Sequence, residues 1–391
     1  MRRFISKYLD FSVPENIIYL CCASAFLHYT ISAAVIIICF AYIMSKKTER
    51  KKAFENKLSY VITAFCIYGI LVSLINGNLL GFGVGFVFAA VLILAMYFRT
   101  VMTTVIFEKA LDVCCIFSVS TLFVLFTEKA FHLFNSSYRC YGNFMGIMPL
   151  SFYLNPNYSA GILSVVFIIC AYKFLKKDVR SAPYFILAIF CAVGMYVCGS
   201  LFVWIEIAVA LAALLFLTKN RMWLGIMFSV IIIAAVTVYF VPGIFPRISA
   251  EGGDTVNNRI LIWDLAVSVL PSCFIFGKGF MGYLFVSMDT ENSYFTFHCH
   301  NMMLDFMLCF GITGCIILLY IILCYCQKVM LCKNTLSDSS IGALIISVAA
   351  GLFIHSVADM TFLWIQTGLL YILILGGVGA DEKRLPAAEI L

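Results

Sequence analysis

Two histidines one residue apart, His298 and His300, precede Asn301 and, a little further on, Asp305. An imidazole can take a proton from a hydroxyl near neutral pH, so this group could serve as a general base. His300, beside Asn301 at the mouth of the next helix, is the first candidate and His298 the second. In an extended segment their rings point the same way; in a helix they diverge. Upstream, Arg259 and Trp263 stand four apart in NRILIWDLAVSVL, a pattern that predicts an amphipathic surface helix with both on one face. The planar fork of a guanidinium matches phosphate oxygens and is always charged, so Arg259 is the first candidate ligand for a charged or phosphorylated substrate. Arg139 and Arg247 are further candidates. Each has a plainer alternative. The histidines could cap a helix, Arg259 and especially Arg247 could touch lipid headgroups, and Lys278 between Gly277 and Gly279 could be a solvated turn residue.

Other polar groups stand out against apolar surroundings. Glu206 lies in VWIEIAVALAAL; a charge at mid-membrane costs roughly 2.5–3.5 kcal/mol, so it is expected to be paired or to line a cavity. Asp305 is placed to orient a histidine or to fix the helix that follows. His355 and Asp359, four apart, could pair on one helix face. Asn155 and Asn157 flank Pro156, which suits a helix start. No clustered carboxylates occur in the polar segments, so neither a metal site nor a cofactor is expected.

The elements that must position these groups are membrane helices. The chain of 391 residues is 63% hydrophobic and 12% charged, against about 25% charged in soluble domains. A span needs about 20 apolar residues. Such runs occur near 16–44, 59–76, 79–97, 111–127, 157–174, 183–198, 202–218, 222–241, 302–326, 341–357 and 362–378. The first is long enough for one tilted helix or a tight pair. The expected fold is an all-α polytopic membrane protein of eleven or twelve spans, a single membrane domain over 1–391. The 17 cysteines lie mostly in apolar runs and read as small hydrophobes; Cys140 and Cys299 are a conceivable pair. Neither a cleavable signal peptide nor a nucleotide-binding loop is evident, which argues against an ATP-driven pump.

Alternating the spans brings Lys46, Lys47, Arg50, Lys51, Lys52, Lys57, Lys173, Lys176, Lys177, Arg180, Lys328, Lys333, Lys383 and Arg384 to one side. That side is expected to be cytoplasmic. The long segments 128–156 and 242–301 then lie outside as two outer loops, the second being the main candidate catalytic loop.

The order Arg259-Ile-Leu-Ile-Trp263, then FGKGF, then HCHN with Asp305 and Gly311 in the following helix, resembles the O-antigen ligase/polymerase superfamily. Upstream, Arg139 and Gly142 before Leu154-Asn155-Pro156-Asn157-Tyr158 resemble its Arg…Gly…Asn-Pro-Asn segment. The family's Ser-Arg pair at the start of a later span is Ser200-Leu201 here, so one arginine is absent.

The resemblance implies a membrane glycosyltransferase acting on a polyprenyl-diphosphate-linked oligosaccharide in the bacterial plasma membrane. Its other partners would be membrane lipids, a chain-length regulator and a flippase, with no nucleic acid. It implies polymerisation of surface polysaccharide repeat units by inverting, metal-independent transfer. In that chemistry His300 or His298 acts as base, and Arg259, Arg139 and Arg247 hold the diphosphate. Asn301, Asp305, Glu206 and Trp263 support them. The nearest alternative is a ligase that moves the glycan to a lipid, wall or protein acceptor. A flippase or secondary transporter is the rival of a different class. It predicts repeated halves and mid-membrane charges, whereas the basic and histidine residues here concentrate in one segment.

Overall fold

Each apolar run of the sequence is helical in the structure, a computed structural model that describes residues 10–134, 148–149, 151–176, 181–241, 246–290, 295–336 and 340–386, with the backbone alone over 246–256. In chain order the helices are α1 (Pro14–Ser24), α2 (Tyr29–Ser45), α3 (Lys47–Ala53), α4 (Lys57–Ile75), α5 (Leu79–Val101), α6 (Thr104–Phe134), α7 (Pro156–Leu175) and α8 (Ser181–Cys198). They continue as α9 (Phe202–Leu217), α10 (Arg221–Phe240), α11 (Pro246–Cys273), α12 (Gly282–Met288), α13 (Met302–Thr335), α14 (Ser340–His355), α15 (Ile365–Gly376) and α16 (Val378–Glu382). Among the described residues there is no strand. The fold is all-α and polytopic.

The helix starts follow local chemistry. The Asn56, Asn78, Asn155 and Asn301 side chains each accept a backbone N–H in the first turn of α4, α5, α7 and α13. These are N-caps that satisfy otherwise orphaned donors. Pro14 and Pro156 occupy first-turn positions, where a missing N–H costs nothing.

Seven described helices are long and apolar enough to cross a membrane, fewer than the eleven or twelve expected. The difference is one of length. The first run is a broken pair, α1 and α2, of 11 and 17 residues. α9, α14 and α15 have 16, 16 and 12 residues. At 1.5 Å per residue these are shorter than a hydrocarbon core of about 30 Å.

The expected loop boundaries also shift. α6 runs on to Phe134, into the stretch 128–156, and much of 242–301 is the 28-residue helix α11 followed by α12. The amphipathic pattern around Arg259 and Trp263 thus belongs to a helix longer than its apolar stripe indicated.

Two ends of the molecule are distinguished by contact. At one, Lys173 bridges Glu108 and Asp112 at 2.8 and 2.7 Å, Arg99 pairs with Glu382, and Glu15, Lys52, Glu55 and Lys383 line one cleft. At the other, the starts of α2, α7, α13 and α15 meet the ends of α1 and α14. The basic clusters and the histidine segment therefore occupy opposite ends of the helices.

The main core is built from α1–α3, α5–α9, the far end of α13 and α14–α16. Two smaller clusters lie beside it: Ile262, Ala266, Cys273, Tyr283, Cys299 and Leu308 in one, Phe65, Phe280, Cys309 and Phe310 in the other. The histidine segment runs along the seam between the main core and the first of these.

α13 is broken at Gly311, whose φ of 58° and ψ of −172° are non-helical. The break frees backbone groups that a membrane interior cannot hydrate. The segment after α11 supplies their partners. Lys278 N–H donates to Leu308 O at 2.8 Å and Gly279 N–H to Cys309 O at 2.7 Å. In return Phe274 O accepts from Ile312 N–H at 2.8 Å. Tyr68 Oη donates to Phe276 O and Phe310 O at 2.9 and 2.8 Å. A Cβ at Gly277 would stand 2.4 Å from Cys309 O, and one at Gly311 would stand 2.5 Å from Ile275 C. The Gly-Lys-Gly turn thus meets a broken helix backbone at close range.

Candidate functional site

Asn301 sets the geometry. Its side chain accepts from Met303 and Leu304 N–H at 3.0 and 3.2 Å, which starts α13, and donates to Val357 O at 3.2 Å. Met302 N–H donates to Ser356 O at 2.9 Å. These bonds tie the histidine segment to the turn after α14, which carries Asp359. From the other side Trp263 Nε1–H of α11 donates to Cys299 O at 3.0 Å, and Asp305 Oδ1 accepts from Cys299 N–H at 2.9 Å. Asp305 therefore places the loop through its backbone.

The two rings lie 4.5 Å apart, edge to face. His298 is buried and His300 half-buried. His300 N–H donates to His298 Nδ1 at 3.1 Å, so that nitrogen keeps its lone pair. Burial pushes the His298 imidazole down to about 3, and His300 adds to this against the opposing pull of Asp359. His298 is neutral at physiological pH, with its proton on Nε2, 3.9 Å from Asp359 Oδ1.

His300 has a different partner. Its Nδ1 lies 3.1 Å from Asp359 Oδ1, while its Nε2 lies 3.4 Å from Thr296 Oγ1. A carboxylate can only accept, so Nδ1 carries the proton and Nε2 is left with the lone pair. That is the arrangement of a carboxylate-oriented general base. Asp359 is held in turn: Oδ2 accepts from Asn157 Nδ2 at 3.0 Å and Oδ1 from Met360 N–H at 2.8 Å. Burial alone would raise the Asp359 carboxyl, but the His300 bond and the neighbouring imidazoles outweigh it and hold the group well below the usual carboxylate range. His300 also has a φ of +51°, a left-handed conformation that costs a non-glycine residue on the order of 1–3 kcal/mol.

Spacing alone allows Asp359 to pair with His355. Instead His355 Nδ1 meets Glu206 Oε2 at 2.5 Å, and Glu206 Oε1 accepts from Ser164 Oγ at 2.7 Å. The intramembrane carboxyl of Glu206 thus has its partner on α14, and His355 and Asp359, which their spacing allowed to pair, belong to two separate pairs. Asp359 comes to His300 from 59 residues away, and only its acidity in an otherwise apolar stretch marked it.

Arg259 lies on the same face of α11 as Trp263. Its guanidinium carbon sits 4.8 Å above the Phe202 ring. Phe202 follows Leu201, which stands where the resembling family carries the arginine of its Ser-Arg pair, so α11 brings a cation beside that position. Lys278 belongs to the turn that meets the α13 break. Cys299 is buried and a free thiol. Arg139 and Cys140 fall outside the described residues, as does the Arg247 side chain.

His298, His300 and Asp359 each offer a donor atom within 4.8 Å of the others, a grouping compact enough for a metal ion. The sequence expectation of no metal did not foresee this cluster, which two distant segments assemble. The donor pattern fits hydrogen bonding: His300 Nδ1 and Asp359 Oδ1 already bond to each other, and His298 Nδ1 to His300 N–H.

Comparison with known proteins adds one positive finding. A family model described as O-antigen ligase matches residues 184–319, which include Arg259, Trp263, His298 and His300. No curated protein matches the chain. Over this segment, which carries both histidines, the chain is similar to the O-antigen ligase family.

Proposed function

We propose that the protein transfers a glycan from a polyprenyl diphosphate to a sugar hydroxyl, and that it polymerises surface polysaccharide repeat units in the bacterial plasma membrane. The observation that carries this reading is the His300–Asp359 pair, with its Nε2 lone pair, beside the helix that bears Arg259. His300 Nε2 takes the proton of the acceptor hydroxyl. The freed oxygen attacks the anomeric carbon and forms the new glycosidic bond. The bond from that carbon to the diphosphate breaks, its electron pair leaves with the phosphate, and the anomeric configuration inverts. Arg259, with Arg139 and Arg247, neutralises the departing charge. Asp359 stabilises the imidazolium, and His298, Asn157, Asn301, Asp305 and Trp263 hold the frame. Glu206 buttresses α14 from within. The lysine- and arginine-rich end faces the cytoplasm, which puts the histidine end outside. The transfer needs no metal or cofactor.

The family description favours a second reading, a ligase that moves a finished glycan to another acceptor. One experiment separates the two and tests both. His300→Ala and Arg259→Ala replace the native copy, with membrane levels checked. Polymerase chemistry predicts accumulation of single lipid-linked repeat units. Long chains stranded on the carrier lipid mean a ligase. Unchanged surface glycan in both variants would refute the catalytic reading.

A further inference from the structure

A row of rings leads away from the His300–Asp359 pair. Asn157, which holds Asp359 Oδ2, is followed by Tyr158. The Tyr158 ring stacks on Trp364 with centroids 4.8 Å apart and planes at 14°. Trp364 meets Tyr29 at 5.7 Å, and Tyr29 meets His28 at 4.4 Å. Tyr158 is buried, whereas Trp364, Tyr29 and His28 are half-buried, so the row begins beside the site and becomes accessible along its length. The three outer rings come from two chain segments, joined by a polar clasp. Trp364 Nε1–H donates to Gln366 Oε1 at 2.6 Å, and the fully buried Gln366 donates onward to Leu27 O.

An aromatic anchor in the membrane interface turns its polar tip toward water and its ring toward lipid. Trp364 does the reverse: its N–H points inward to a buried amide. The clasp also fixes the ring before any ligand arrives, which lowers the entropy cost of binding. The negative π face of such a ring suits the positively polarised C–H face of a pyranose. His28 and Thr30, linked at 2.9 Å, offer polar edges at the outer end for sugar hydroxyls. An oligosaccharide is the occupant this combination of apolar faces and polar rims fits.

We infer that Trp364, Tyr29 and His28 form a glycan-binding track that guides the oligosaccharide substrate to His300. This deepens the proposed function and rests on it.

The test is steady-state transfer by purified protein in vesicles, with lipid-linked repeat units isolated from the source cells as substrate. Trp364→Ala and Tyr29→Ala are expected to raise KM about tenfold with kcat retained, and Trp364→Phe to raise it less. The free oligosaccharide, released from those units by mild acid, should inhibit the wild type and lose potency against Tyr29→Ala. If Trp364→Ala does not fold, Trp364→Phe and Tyr29→Ala carry the measurement. An unchanged KM in the folded variants, with only membrane retention or thermal stability reduced, would make the row an interfacial anchor and overturn the inference. His300→Ala is measured alongside. If it is inactive while KM stays unmoved in the ring variants, the track alone is refuted; if it is fully active, the reading of the site falls and the track with it.

Discussion

At the scale of single residues, the two histidines divide the work by burial. His298 is sealed in and stays neutral, so its Nδ1 remains available to the His300 N–H. The linkage has a definite sign. Between about pH 3 and the ordinary histidine value of 6.5 the unfolded chain takes a proton at His298 and the folded chain does not. The local structure is therefore fully stable above that window and weakens as pH falls through it. Asp359, held low, acts in the same direction at more acid pH, its contribution present above the ordinary carboxylate range and lost below it. Hydrogen exchange, corrected for intrinsic rates, should show protection of 297–305 and 355–361 declining from pH 7.5 to 5. Protection that stays flat would contradict the neutral buried His298. Asn157→Ala should slow transfer about tenfold, because Asp359 loses one of its donors. Unchanged turnover would mean that the remaining contacts suffice.

At the scale of elements, the break in α13 aims the site. The first turns of α13, which begin at Asn301, are set off from its long remainder by Gly311, and the turn at Gly277–Gly279 locks the break. Gly311→Ala should cost at least about 1–3 kcal/mol, since its backbone region is closed to other residues and a Cβ would stand 2.5 Å from Ile275 C. The expected result is a lower thermal midpoint together with lost transfer. Gly83→Ala is the control: its Cβ would meet nothing within 4 Å. Equal midpoints for the two variants would remove the special role of the break. The glycines and the HCHN string were visible in the sequence, but their use was not. Lys278 between two glycines reads in sequence as a solvated turn residue; only the fold shows that the turn faces another backbone. Likewise the apolar runs were legible because each is long and uniform, while the shortness of α9, α14 and α15 depends on where tertiary contacts end a helix.

At the scale of the whole molecule, the site sits on a seam. One side belongs to the main core, through Asn157, Ser356 and Asp359; the other belongs to α11–α13, through Trp263, Cys299 and Asp305. The sequence could name the histidines and Arg259 because they fall in one stretch with spacing that resembles a family. It could not name Asp359 as the partner of His300, because their contact depends on how α14 packs beside α13. Nor did spacing reveal that Glu206 and His355 satisfy each other across two helices. The same assembly makes a cluster that could attract a metal. If hydrogen bonding rather than metal binding organises it, transfer by the purified protein should persist after dialysis against a chelator. Loss of activity that zinc or manganese restores would establish a metal centre instead.

The most direct measurement is turnover of lipid-linked repeat units by purified wild type, His300→Gln and Asp359→Asn in vesicles, with folding checked by thermal melt. The account predicts that His300→Gln lowers kcat by about 10²–10⁴-fold. It predicts a comparable loss in Asp359→Asn, because an amide can leave the imidazole in the wrong tautomer. Wild-type kcat in both folded variants would contradict the claim that the His300–Asp359 pair carries the proton transfer.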